Sequence, residues 1–382
     1  MRSVAGGAMG SMALGWLMAA ESDPRKVSTG LHHKARAKRV VQFFLSGAAS
    51  HVDSFDYKPQ LERRRGQAFD PGGKVELFQS QPGVVQPSYW EFKRRGASGQ
   101  WVSDLFPHLA TCADHMAVIR SMTSRSNVHG PATFLQNTGF VLPGFPSMGA
   151  WIVHGLGRMT DDLPAFVVLP DQRGVPPNGP ANWGSGFLPA SCQATAVRVG
   201  GDRPIRDLFP SRPGFWTDRE DPEGAALLRR WNQRHAEHRP GDDRLRARID
   251  AYAMAARLQL TAPAVFDIAK ETEGTRARYG ADREPTRDFG SRCLVARRML
   301  ERGVRFVQIW SGADNGFPRR NWDSHEDLHR DHGMMAAEMD QPAAALIHDL
   351  RERGMLDDTV VMWTTEFGRM PCSQGGKGRD HN

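Results

Sequence analysis

The chain has 382 residues, 40% of them hydrophobic and 24% charged, the composition of a folded globular protein and not of a disordered one. Its net charge of +7 comes mainly from arginine, in short clusters at 34–39, 63–65 and 93–95, with acidic residues interleaved almost everywhere else. No basic, aromatic-studded stripe is legible, so no nucleic-acid partner is expected, while a mild bias toward anionic substrates stays open.

Residues 4–20 carry no charge, are rich in Ala, Gly and Met, and follow Arg2. A buried helix would read the same way, but the small Ala19 and Ala20 before Glu21 match the end of a signal peptide. Residues 1–20 are therefore read as a signal-like segment and the protein as exported, periplasmic or extracellular. The run is short and glycine-rich for a bilayer crossing, which needs about 20 strongly apolar residues, so no transmembrane span is expected. Residues 21–38 are polar and basic, a linker to a domain at 39–382. Cys112, Cys192, Cys293 and Cys372 lie far apart, forming neither a zinc knuckle nor a redox pair. Export would permit one or two disulfides, but no pairing is legible.

The run Val40-Val41-Gln42-Phe43-Phe44-Leu45 predicts a central strand ending at Ser46-Gly47. Pro, Gly and Arg dominate 53–98, a surface excursion. Ser103 and Asp104 are placed to cap a helix carrying Leu105, Leu109, Cys112 and Met116 at helical spacing, with a strand at 116–120 next. Pro131 suits the first turn of a helix starting at His129, and Thr138-Gly139 ends it. Ser147 opens another helix running to Met159, and 165–169 predicts a strand. Residues 174–241 read as a loop-rich insertion or lid. Helices follow at 245–269 and around Leu294–Leu300, then a strand at 303–310. The last helix, 326–353, contains Pro342, which should kink or divide it, and a strand at 359–364 closes the series. Strands separated by amphipathic helices imply an α/β fold, a largely parallel sheet flanked by helices.

Oxygen and imidazole groups gather just past two of those strands. Asn321-Trp322-Asp323-Ser324-His325 follows one, Thr365-Glu366-Phe367-Gly368-Arg369 the other, and Arg379-Asp380-His381 stands at the end. Open α/β sheets build their sites at the carboxyl ends of strands. Carboxylate with neutral imidazole suits zinc, manganese or iron and, with more oxygens, calcium or magnesium.

The stretch Arg39 to Pro59 with His51, Asp53 and Asp56, then Arg120-Ser121-Met122, 129–139, Trp322-Asp323-Ser324-His325, 358–369 and Arg379-Asp380-His381 resemble, in order, the bacterial DUF1501 family. That family is similar in fold to the alkaline phosphatase and sulfatase superfamily. Its members usually continue beyond the Arg-Asp-His motif, which implies a chain truncated at its carboxyl end. Many carry a twin-arginine signal, whereas only Arg2 precedes the apolar run here.

The resemblance implies roles. Asp323, His325 and His381 correspond to ligands of a first metal, and Glu366 to the acid of a second. Asp380 is either a ligand or a support for His381. The aspartate expected directly after the first strand is replaced by Ser46-Gly47, so Asp53 is the candidate. His129 stands where the superfamily places its nucleophile at a helix amino terminus, and can attack, act as general base, bind metal or mark a scaffold that has lost the chemistry. No Cys-x-Pro-x-Arg motif is present, which argues against a formylglycine mechanism. Plainer readings stand beside these: Asp323 as a helix cap, Glu366 as a salt-bridge partner of Arg369, Asp53 in loop hydrogen bonding. His329 and His332, four and seven residues after His325, are read as a polar helix face rather than a metal cluster. The expected function is an exported hydrolase of phosphate or sulfate esters using a divalent metal, zinc first and Ca, Mg or Mn as alternatives. The rival is a non-catalytic metal-binding envelope or surface protein. Nothing in the sequence bears on oligomeric state.

Overall fold

A parallel sheet of five strands, in the order β5-β4-β6-β1-β7, forms the centre of the unit Lys38–Asn382. The strands are β1 (Arg39–Leu45), β4 (Phe166–Leu169), β5 (Thr195–Ala196), β6 (Phe306–Ser311) and β7 (Thr359–Thr364). Two more, β2 (Phe92–Arg95) and β3 (Gln100–Ser103), pair as a separate antiparallel hairpin. The computed structural model describes residues 34–70, 72–73, 82–200, 205, 222–316 and 319–382. The signal-like segment and most of the linker lie outside the described residues, as do parts of the 174–241 insertion.

Side chains alternate across a strand, and here both faces are dry. Val41, Phe43, Leu45, Val307 and Ile309 enter one core, and Phe44, Phe306, Trp310 and Val168 enter the other. Burial on both sides explains why these strands read as unbroken apolar runs. In chain order the helices are α1 (Pro59–Arg63), α2 (His129–Thr138), α3 (Met148–Leu156), α4 (Pro222–Glu237), α5 (Asp243–Phe266), α6 (Glu273–Arg278), α7 (Arg287–Glu301) and α8 (Leu328–Glu352). Helices α5, α7 and α8 cover the first face and α3 the second.

Polar residues inside this core fasten α2 to the sheet. Gln308 on β6 donates to Gln42 on β1 at 2.9 Å and to Asn137 on α2 at 2.8 Å, while Gln42 donates to Thr364 on β7 at 2.9 Å. A satisfied buried network of this kind sets the register of its elements. It fixes where the amino terminus of α2, with His129, must lie. Gly139 ends α2 in the left-handed conformation (φ 82°), and Ser147 caps α3 by accepting from Ala150 N–H.

Several expectations are corrected. Residues 100–103 are strand β3, and a 3-10 helix, Leu109–His115, replaces the longer helix predicted after Ser103. Ser103 Oγ donates to the carbonyl of Asp53, and Asp340 on α8 instead accepts from the N–H groups of His108 and Leu109 at 2.7 Å. No strand forms at 116–120, where Ile119 is 69% exposed: an apolar run without a partner strand stays irregular. The insertion contributes the edge strand β5 and helix α4. Pro342 sits inside one continuous α8, whose buried Ala343, Leu346 and Leu350 offset the lost backbone bond. All four cysteines are buried and free. Among the described residues no helix is long and apolar enough to cross a membrane.

Candidate metal centre

The centre forms where three loops leave β1, β6 and β7. After β1 the chain turns through Gly47 (φ 101°) and Ala48 (φ 56°), a conformation unusual for any residue but glycine. A Cβ on Gly47 would lie 2.4 Å from Asp323 N and 2.7 Å from Trp322 N, so glycine is what lets the loop after β6 approach. Trp322 N–H donates to Ser46 O at 2.9 Å, and its buried indole donates to Ser311 Oγ, seating the loop that carries Asp323. Glu366, after β7, accepts from Gly47 N–H at 2.8 Å.

Asp323 Oδ1 is the focus. Arg369 Nη2 stands 2.6 Å from it, His325 Nε2 2.9 Å, His129 Nε2 3.3 Å and His381 Nε2 3.4 Å. A carboxylate oxygen has about two lone-pair sites, fewer than these neighbours. The outer nitrogen of each ring has its own acceptor. His129 Nδ1 meets Glu366 Oε1 at 2.7 Å, His381 Nδ1 the Asn127 carbonyl at 2.6 Å, and His325 Nδ1 the Gln374 side-chain oxygen at 2.5 Å. His325 Nε2 and His381 Nε2 face each other at 3.1 Å. His129 Nε2 is buried and, although close to Asp323, is out of line for a hydrogen bond.

Burial works against charge throughout this group, and the contacts overturn it in part. Burial opposes ionised Asp323, yet its contacts with His129, His325 and His381 and the charge of Arg369 hold its carboxyl far below the usual range. Burial likewise disfavours a charged His129, but Asp323 and Glu366 lift it to about 9. Glu366 is held low by His129 and the Gly47 N–H against its own burial. For His381 burial prevails, helped by Arg369 and His129, and its ring is pushed toward neutrality. A buried oxygen and several imidazole nitrogens turned toward one another, one of them orphaned, form a donor set that a divalent cation satisfies. Potential ligand atoms of His129, Asp323 and His381 all lie within 4.8 Å of one another.

The structure thus brings together His129, Asp323, His325, Glu366 and His381. Asp380 supports them, its Oδ1 accepting the backbone N–H of His381 and lying 3.9 Å from His325 Nδ1. Asp53, the other expected ligand, is not brought to this cluster and belongs to a different contact set: Arg379 Nε and Nη2 meet its two oxygens at 2.7 and 3.3 Å, and Ser50 Oγ donates to it. Its carboxylate is already neutralised. Glu366 is not paired with Arg369, whose guanidinium goes to the carbonyls of Gly47, Ala48 and Arg379 and to Asp323. Nor does Asp323 cap α8, because Asp327 does. His332 is buried beneath the loop after β1, where it accepts the Ser50 N–H, while exposed His329 stacks on Trp90. Ser124 and Ser126 bond within their own loop.

Three supports escaped the sequence reading. Arg369 stood in a quoted motif but with the wrong partner, Gln374 gave no signal, and Asn127 contributes only a backbone carbonyl.

No curated protein matches this chain, and no solved structure matches it either. A family model does, over residues 37–382, and it is described as a protein of unknown function, DUF1501. With nearly the whole chain covered, including every group of the candidate metal centre, the protein belongs to the DUF1501 family.

Proposed function

We propose that the protein is an exported, metal-dependent hydrolase of phosphate or sulfate esters on an alkaline-phosphatase-like fold. The observation that carries this reading is the convergence of Asp323, His325 and His381 at the carboxyl ends of parallel strands, beside the first turn of α2. Export rests on the apolar run at 4–20. Asp323, His325 and His381 would hold the ion. A bound divalent cation, zinc first and Ca, Mg or Mn as alternatives, supplies a Lewis acid for the ester oxygen and a water of lowered pKa. The chain does the rest. Helix α2 begins at His129 in the centre, and the partial positive charge of its amino terminus favours an anionic ester there. Arg319, 3.8 Å from Asp323 Oδ2, adds positive charge beside the site. Arg369 ties the turn at Gly47 and Ala48 to Asp323, so the β1 and β6 loops hold one geometry.

One observation favours the rival, a non-catalytic metal-binding envelope or surface protein. The first residue of α2 is His129, with no hydroxyl or thiol nucleophile in its place. The test is turnover of a phosphomonoester, a phosphodiester and a sulfate ester by metal-loaded protein, with Asp323→Asn as control. Hydrolysis of one class, lost in Asp323→Asn, is the expected result. Bound metal without turnover on any ester would hand the site to the rival reading.

A further inference from the structure

We infer that His129 is a metal ligand and not a nucleophile, that the centre takes a single late first-row divalent ion through Asp323 Oδ1 and the Nε2 atoms of His129, His325 and His381, and that Glu366 stands outside this set as the carboxylate aiming His129. The inference deepens the metal-centre reading above and rests on it.

The argument is one of tautomers. The Asn127 carbonyl can only accept, so His381 Nδ1 carries the proton of that contact and Nε2 presents a lone pair. Glu366, held ionised by its own contacts, accepts from His129 Nδ1, and the Gln374 oxygen does the same for His325. In the neutral rings three lone pairs then turn inward upon a carboxylate oxygen. Two of them face each other at 3.1 Å, and the third, on a residue only 7% exposed, has no aligned donor. As neutral rings around an anionic oxygen these atoms repel, and a cation among them converts the repulsion into bonds. Ligand bonds of about 2.0–2.1 Å around a tetrahedral ion put ligand atoms about 3.3 Å apart. The separations of 2.9, 3.3 and 3.4 Å from Asp323 Oδ1 to the imidazoles and of 3.1 Å between His325 and His381 fall around that value, while His129 and His381, whose ligand atoms stand within 4.8 Å, draw together on the ion.

Glu366 has no such opening. Its Oε1 takes the His129 ring and the Gly47 N–H, and its Oε2 takes the Thr365 hydroxyl at 3.1 Å. A carboxylate that receives the outer N–H of a ligating histidine fixes that ring's orientation and raises its basicity. Three imidazoles and one carboxylate suit zinc-like ions, whereas calcium and magnesium demand mostly oxygen.

The experiment is calorimetric titration of the metal-free full chain with Zn²⁺, Ca²⁺ and Mg²⁺, and of His129→Ala and Glu366→Gln with Zn²⁺. The expected result is a single zinc site at least about 100-fold tighter than calcium or magnesium, weakened about 100-fold or more by His129→Ala and only about 10-fold by Glu366→Gln, which keeps an acceptor for the ring. Co²⁺-loaded wild type should show the intense visible bands of a four-coordinate ion, a readout that survives if His129→Ala does not fold. Unchanged zinc affinity in His129→Ala, calcium as tight as zinc, or a weak six-coordinate cobalt spectrum would overturn the assignment. So would a Glu366→Gln variant as poor in zinc as His129→Ala. A wild type that binds zinc in this way yet cleaves no ester keeps the ligand assignment and loses the hydrolase reading. Ester turnover indifferent to His129 does the reverse.

Discussion

Asp53 and Asp323 each follow a strand of the same sheet and each is buried, yet their surroundings make them different objects. Asp53 meets the fork of Arg379, both side chains fully buried, and the remaining Arg379 donors go to the carbonyls of Gln86, Pro87 and Met370. Charge and hydrogen bonds close there, with no room for a third party. Asp323 has one arginine and three imidazoles crowded on a single oxygen, with the outer nitrogen of each ring already engaged. Burial of a carboxylate therefore does not mark a metal site. The balance between donors and lone pairs around it does.

The largest expected effect lies on the closed side. Arg379→Met strands the Asp53 charge in the core and should cost about 3–5 kcal/mol in urea unfolding. The loss should be equal with and without zinc; a zinc-dependent loss would mean that Asp53 does belong to the centre.

Next comes a pH effect on the open side. In the metal-free protein His129 is raised to about 9 by Asp323 and Glu366 against its burial. A raised histidine contributes stability that is fully present below its unfolded pKa of about 6.5 and is lost as pH climbs through the folded value. Metal-free protein should thus lose about 3 kcal/mol between pH 6.5 and 10, as an upper figure, while zinc-loaded protein, with His129 held neutral as a ligand, should not. Melting curves across that range, with His129→Gln as reference, decide it. A similar fall in both forms breaks the comparison.

Zinc at about 100 times its dissociation constant should stabilise wild type by about 3 kcal/mol. Asp53→Asn should keep that increment although it starts lower, and Asp323→Asn should lose it. The smallest effect concerns Ser50, whose hydroxyl donates to Asp53 at 2.5 Å. Ser50→Ala should cost about 2 kcal/mol and leave zinc affinity untouched, as titration of the variant would show.

How much of this could be read beforehand depended on the kind of element. Strands β1 and β6 were legible because both their faces are dry, so nearly every residue between their ends is apolar, and the part-buried edge strand β7 was legible from its run Val360-Val361-Met362-Trp363. Helix α2 was bracketed by Pro131 and Gly139, whose backbone preferences act locally. The two-residue β5 and the hairpin β2–β3 were not, since short edge pairings carry little apolar excess. The opposite error came at 116–120, an apolar run that finds no strand to pair with.

In the centre, residue type and position after a strand singled out Asp323, His325 and Glu366, and the family resemblance added His129 and His381. Those same criteria singled out Asp53 equally and paired Arg369 with Glu366. Motifs name groups able to ligate but say nothing of which neighbour arrives first.

The sequence by itself determined the α/β class, the strands that carry the centre and the set of residues from which it is drawn, because burial pattern and local backbone chemistry are written in consecutive residues. Only the tertiary structure decided that Arg379 claims Asp53 and Arg369 claims Asp323, that Glu366 faces His129, and that the imidazole nitrogens turn inward. Those pairings join residues 46, 237 and 326 positions apart. They depend on loops meeting within a few tenths of an ångström, as at Gly47 against Asp323, and distances of that kind are properties of the packed core and not of any segment.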